Sequence, residues 1–262
     1  MKNALKIQWK ACSLPKLGNS PAENEDAFSP EIEQQSFTAQ TPFACAVADG
    51  ATQTSFSRLW ARLLVAEAAR NFQPERLPEL IAAAQAKWLG YTASVELPWH
   101  AEEKVRQGAF ATLLWMNIQP PSARSTKNTG AWHALAIGDT CLFQIRKKTL
   151  RAQFPTLSTA DFNNHPWLLS TNPGRNTGFW NSLDDLRTSG DWAAGDDFLL
   201  MTDALAAWFV HEQAKTPLSR LLPRLLSVLT STAEFSFWLK RLREDADIKN
   251  DDTTIVWIHL EN

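Results

Sequence analysis

Acidic residues stand where apolar runs end. Asp49 closes FACAVA (43–48), Asp203 closes FLLMT (198–202), and Asp251 and Asp252 precede TTIVWIHL (253–260). Asp26 sits in NEDAF (24–28). A carboxylate at the end of a buried strand lies at the rim of the core, so neighbouring strands would bring several together. Several anions in one place cannot all stay ionised without a cation. Oxygen ligands with no Cys or His among them suit hard divalent ions, Mg²⁺ or Mn²⁺. Two such ions can hold a hydroxide between them and clamp a phosphoryl group for in-line attack. Taken singly, each aspartate is better explained as a helix cap or an Asx-turn than as a ligand. It is the set, in its order, that points to a metal centre.

Strands must deliver these carboxylates. Leu5, Ile7, Trp9 and Ala11 alternate with polar residues, which predicts an opening strand over 5–13. The apolar run 43–48 predicts a buried strand. Phe56, Leu59, Trp60, Leu63, Leu64 and Ala68 fall at helical spacing, predicting a helix over 55–72 with Thr54 or Ser55 as its cap. Further helices are expected at 76–90 and, short and polar, at 100–107. Strands follow at 109–118, 131–137 and 140–146, the last two joined tightly through Gly138-Asp139. Residues 155–195, rich in Pro, Asn, Gly and Trp, read as a lid or binding element, or as a region of short elements that periodicity does not reveal. A strand at 197–202, helices at 203–213, 217–230 and 234–245, and a strand at 253–260 complete the chain. Paired strands with helices bunched between them predict an α+β class. Without a repeat or linker, residues 1–262 are expected to form a single domain.

Composition narrows the function. Lys and Arg number 26 against 28 Asp and Glu, a net charge of -2, which leaves no basic footprint for nucleic acid and no polybasic membrane patch. The cysteines, Cys12, Cys45 and Cys141, are far apart and without metal-ligand spacing, which suits a reducing compartment. No apolar run reaches the roughly 18 residues of a membrane span, and the lysine-broken start does not read as a signal peptide, so a cytoplasmic location is expected. The 12 tryptophans, spread from Trp9 to Trp257, read as core fillers rather than a stacking platform.

In order, NEDAF (24–28), VADG (47–50), GAFATLL (108–114), AIGDT (136–140), GDDFLLMTDALA (195–206) and NDDTTIVWI (250–258) resemble the motifs of the type 2C protein phosphatases, metal-dependent Ser/Thr phosphatases. The resemblance implies a sandwich of two antiparallel sheets flanked by helices, a four-layer αββα fold. It implies that Asp49 bridges two Mg²⁺ or Mn²⁺ ions, that Gly50 offers its backbone carbonyl, and that Asp203 and Asp251 are ligands. Asp252 then takes a position often held by Asn. Asp26, and more weakly Glu25, would support metal-bound water, and Asp139 matches an aspartate that in some bacterial members helps hold a third, looser ion. The implied reaction is hydrolysis of phosphoserine and phosphothreonine without a phosphoenzyme, with Asp49, Asp203 and Asp26 as the catalytic set. The implied partners are phosphorylated proteins and a cognate Ser/Thr kinase or its targets.

The chain also departs from the pattern. Pro21 stands where members carry a phosphate-clamping Arg; Lys16 is the nearest upstream cation, and Arg58, Arg106 and Arg175 are candidate replacements. Ala204 replaces a Gly, which is favourable if it starts a helix with Asp203 at the cap. Ala51 replaces a His that could serve as general acid. GAFATLL is a loose match, read as a tight turn into a core strand with Thr112 as its polar member. His100, His133, His165, His211 and His259 share no segment and read as surface or packing residues. Asn163, His165, Trp167, Arg175 and Trp180 lie where the family has a flap and would touch a substrate peptide there, unless the segment is a plain surface loop. Two other functions stay open: a phosphatase-like module that binds a phosphoprotein but turns over poorly, and a two-metal phosphatase of a small phosphorylated metabolite.

Overall fold

The computed structural model describes residues 4–51, 56–70, 73–96, 105, 107–121, 129–162, 166–178 and 183–261. Two antiparallel sheets pack face to face. The first is built from β1 (Leu5–Leu14), β3 (Gln34–Ala39), β8 (Cys141–Arg146), β9 (Thr149–Phe154), β12 (Asp197–Met201) and β13 (Thr253–Leu260), in the order β3-β1-β13-β12-β8-β9. The second holds β2 (Ala27–Ser29), β4 (Phe43–Ala48), β6 (Leu113–Ile118), β7 (Thr129–Ile137) and β11 (Arg187–Ala193), in the order β11-β7-β6-β4-β2. A short pair, β5 (Phe110–Ala111) and β10 (Leu169–Ser170), lies apart. Helices α1 (Ser57–Ala68) and α2 (Leu77–Ala93) cover the second sheet, and α3 (Asp203–Lys215), α4 (Leu218–Val228) and α5 (Thr232–Glu244) cover the first. This is the expected α+β sandwich.

Strand alternation decides which side chains meet. On β13, Val256, Ile258 and Leu260 face the second sheet, while Ile255 and Trp257 face the helices. Leu5, Ile7 and Trp9 of β1 join the inter-sheet layer, with Leu114 and Met116 of β6 opposite. Trp9, Trp60, Trp132 and Trp192 are fully buried, so these tryptophans are core. Trp132 and Trp192 lie over the glycines that pair with them across β7 and β11, Gly190 and Gly130. A Cβ on either glycine would come within 2.7 Å of the facing indole.

Several elements differ from the sequence reading. The expected strand 109–118 breaks at Thr112 into β5 and β6, because Thr112 turns its backbone N–H to Asp49. β7 and β8 are joined through Gly138-Asp139, but each belongs to a different sheet, so this junction is the crossing between layers and not a hairpin. Within 155–195 lie β10 and β11. β2, β3 and β9 were not expected. The expected helix at 100–107 and the caps Thr54 and Ser55 lie outside the described residues, apart from Val105 and Gln107. Ala204 does stand in the first turn of helix α3, but Asp203 is the helix's first residue and Thr202, with φ -71° and ψ 165°, is the cap.

Candidate metal centre

Each candidate aspartate sits where a strand ends, at one edge of the sandwich. Asp49 follows β4. Its N–H donates to Thr112 Oγ1 (2.9 Å) and its carbonyl accepts from the Thr112 N–H (2.8 Å). Thr112 Oγ1 is also 2.7 Å from Thr140 Oγ1, beside Asp139. Gly50 pairs with Ala111, and the Ala51 N–H donates to the Phe110 carbonyl. The loose GAFATLL motif is therefore a brace that holds the Asp49-Gly50 backbone.

Asp26 is 6% exposed. Its Oδ2 accepts from the hydroxyls of Thr202 (3.0 Å) and Thr254 (2.7 Å), which links the loop before β2 to the starts of α3 and β13. Behind Thr254 the relay continues through Ser13 Oγ to Asn24 Nδ2. The other oxygen, Oδ1, is buried without a partner. Such an orphan acceptor is costly unless something in the site satisfies it.

Electrostatics shows that five carboxylates share the place. Burial pushes the Asp49 carboxyl well above its usual range, and Asp26, Asp203, Asp139 and Asp251 push it further. Burial also raises Asp26, with Asp252 and Asp203 adding to it against the hydrogen bonds from the threonines. Asp139 is pushed up to about 7, by burial first and then by Asp203. Asp203 is raised by burial, an effect Lys249 opposes and Asp251 reinforces. The sequence-derived set is thus brought together. As placed, however, no group of three or more His, Cys, Asp or Glu among the described residues is arranged to hold a metal ion.

The remaining carboxylates have structural partners. Asp252 is 3% exposed and accepts from the backbone N–H groups of Lys16 (2.8 Å) and Glu25 (2.7 Å), clamping the 15–26 loop to β13. Glu25 accepts from the Ser57 hydroxyl at the start of α1. Two cations here escaped sequence reasoning. Arg243 of α5 donates to the carbonyls of Pro15 (3.0 Å) and Asp251. Lys249 Nζ lies 2.7 Å from Asp251 Oδ2 and 3.4 Å from Asp203 Oδ2. The one sequence signal was a lysine two residues before the Asp pair.

Three cavities touch the cluster. One of about 220 Å³ lies beside Asp203 and Lys249, walled by Phe162, Ala207, Trp208 and His211. One of about 260 Å³ reaches Asp139 past Phe154, Leu157 and Trp167. A third, about 270 Å³, reaches Asp26 between Pro21 and Arg58. A larger cavity of about 900 Å³, lined by Arg70, Trp115, His133 and Arg187, contains none of the aspartates. Of the arginine candidates, Arg58 donates through Nη1 to the Ala22 carbonyl, next to Pro21. Arg175 lies over the Phe110 ring, 5.3 Å from its centroid, and Arg106 is outside the described residues. Asn163, His165, Trp180 and His100 also lie outside them. His259 pairs with Asp197 (2.9 Å), far along β13 from the cluster. No described helix is long and apolar enough to cross a membrane.

A two-sheet sandwich with carboxylates gathered at one edge is what the resemblance of the motifs implied, and the comparisons agree on the family. Residues 19–243 match the family described as Protein phosphatase 2C, and the chain belongs to that family. Among solved structures, it is similar to the Mycobacterium tuberculosis serine/threonine phosphatase PstP/Ppp, with TM-score 0.57 and 19% identity over 98% of this chain and 100% of that one. It is similar to the photosystem II phosphatase PBCP at TM-score 0.55 and 15% identity, covering 97% of this chain and 99% of that one. It is also similar to the S. agalactiae serine/threonine phosphatase at TM-score 0.53 and 11% identity, over 97% and 100% of the two chains. At these identities the likeness is one of fold. The comparison with curated proteins found no match.

Proposed function

We propose that the chain is a metal-dependent phosphoserine/phosphothreonine protein phosphatase using Mg²⁺ or Mn²⁺. The observation that carries the reading is Asp49 at the strand end, its carboxyl raised by burial and then by four neighbouring aspartates, Asp26, Asp203, Asp139 and Asp251. The donor set fits hard divalent cations: it is all oxygen, it repels itself, and it leaves Asp26 Oδ1 unsatisfied. Asp49, the Gly50 carbonyl, Asp203 and Asp251 would hold two cations, and Asp139 a third. When bound, such cations supply an acidified water and a clamp on phosphoryl oxygens.

The chain's own residues do the rest. Thr112 fixes the Asp49 backbone at both its donor and its acceptor. Thr202 and Thr254 hold Asp26 by one oxygen, and the other, buried without a partner, is the proposed proton acceptor. Arg58 supplies the cation that Pro21 lacks, from a helix that Ser57 and Glu25 tie to the same loop. A phosphorylated protein is the proposed substrate, a Ser/Thr kinase the matching partner, the cytoplasm the proposed location, and a single domain the proposed organisation of residues 1–262.

The test is hydrolysis of a phosphopeptide and of p-nitrophenyl phosphate with Mn²⁺. Asp49→Asn is expected to lose at least about 100-fold in kcat, the scale of removing a group that stabilises the transition state; equal rates would overturn the reading. Pro21 favours a second reading, a binding module with poor turnover. Tight phosphopeptide binding in calorimetry without Mn²⁺-stimulated turnover would select it. A preference for small phosphorylated metabolites in a substrate panel would instead select a metabolite phosphatase.

A further inference from the structure

The cluster contains a cation of its own. Lys249 lies in a tight turn in which the Asp251 N–H donates to the Lys249 carbonyl (3.0 Å), so the loop itself sets lysine against aspartate. Its ammonium reaches Oδ2 of both Asp251 and Asp203. The other oxygen of each carboxylate is taken by the backbone: Asp203 Oδ1 by the Ala204 N–H (2.6 Å) and Asp251 Oδ1 by the Asp252 N–H (3.0 Å). Lys249 therefore takes, on each carboxylate, the oxygen that these backbone bonds do not use. The lysine stem lines the 220 Å³ cavity with Phe162 and Trp208, while the side chain as a whole is 52% exposed. A half-exposed lysine on a flexible four-carbon stem can carry its ammonium out to water.

We propose that Lys249 is a built-in counter-ion for the Asp203–Asp251 pair, and that a divalent cation binds this pair only by displacing it. The inference rests on the divalent-cation reading above. A tethered ammonium neutralises like-charged carboxylates in the cation-free chain, and it competes with any cation for the same oxygens. Lys249 thereby lowers cation affinity and keeps the cation-free fold intact.

Calorimetric titration of the chelator-treated full chain with Mn²⁺ tests this, using Lys249→Met, which keeps the stem and loses the charge, and Lys249→Arg, which keeps the charge. Lys249→Met is expected to bind Mn²⁺ roughly three- to tenfold more tightly, as expected for a partly exposed ion pair. Lys249→Arg is expected to stay near the parent affinity. Thermal unfolding in chelator should place Lys249→Met below the parent, and saturating Mn²⁺ should raise it more. Unchanged or weaker Mn²⁺ binding by a folded Lys249→Met protein would overturn the proposal. Tighter binding without any hydrolysis would uphold it while overturning the phosphatase reading, and no Mn²⁺ binding by any of the three proteins would overturn both.

Discussion

At the scale of single residues, the carboxylate cluster is marked by protons it holds more tightly than free carboxylates do. Asp139, 6% exposed, has its carboxyl pushed from an ordinary 3.8 to about 7 by burial and by Asp203. The folded chain therefore keeps a proton that the unfolded chain releases. That contribution to stability is complete below about pH 4 and is lost as pH rises through about 7. In chelator, the melting temperature should fall across this window. Asp139→Asn, a permanent stand-in for the protonated form, should flatten the fall and exceed the parent at pH 7.5. Each tenfold change in proton affinity is worth about 1.36 kcal/mol, so the difference is at most on the order of 4 kcal/mol. Parallel pH curves for the two proteins would refute the assignment. Arg58 gives a second residue-scale test. Arg58→Ala should raise KM for a phosphopeptide about tenfold while leaving Mn²⁺ affinity unchanged, since a guanidinium–phosphate bond is charge-assisted. A change in Mn²⁺ affinity alone would place Arg58 among the supports of the cation site instead.

At the scale of elements, the loops around β13 matter most, and they show what the sequence could reveal. Strand β13 was legible because Thr254, Val256 and Ile258 alternate against Ile255, Trp257 and His259, and its Asp pair fell inside a motif. The hairpin β8–β9 was not, because its turn is made by Lys147 (φ 51°) and Lys148 (φ 63°), where positive φ usually announces itself as Asn-Gly. Strand β3 (QQSFTA) is a mostly exposed edge, so no buried face left an alternating pattern. The five carboxylates were legible by type and order, whereas Lys249, Arg243 and the orphaned Asp26 Oδ1 depend on loop geometry. Asp252 is the element-scale test. Its two oxygens serve two backbone donors from the 15–26 loop. Asp252→Ala leaves both N–H groups without their acceptor and should cost about 2–4 kcal/mol in urea unfolding. Asp252→Asn keeps one acceptor and should cost less than Asp252→Ala, by about one hydrogen bond. Similar losses for both variants would mean that charge, rather than the two hydrogen bonds, holds the loop.

At the scale of the whole molecule, the carboxylate cluster exists only because two sheets end at the same edge. Asp49 comes from the second sheet, Asp203 and Asp251 flank strands of the first, and Asp139 rides on the chain as it crosses between them. That crossing turns on Gly138, whose φ of +102° L side chains rarely adopt. A Cβ there would also meet Thr112 Cγ2 at 2.5 Å and the Trp167 carbonyl at 3.0 Å. Thr112 is the residue that fixes Asp49, so a clash at the crossing is passed to the site through one packed side chain. Gly18 (φ +98°) and Gly195 (φ +88°) separate the two effects, because nothing lies within 4 Å of a Cβ at either. Their alanine variants should lose only the backbone cost, about 1–2 kcal/mol, and keep Mn²⁺ affinity. Gly138→Ala should lose several kcal/mol in urea unfolding and also bind Mn²⁺ more weakly, as Thr112 is driven off Asp49. If Gly138→Ala matches the other two in stability and keeps its cation affinity, the crossing is soft, and the centre is held by its loops rather than by the packing of the sheets.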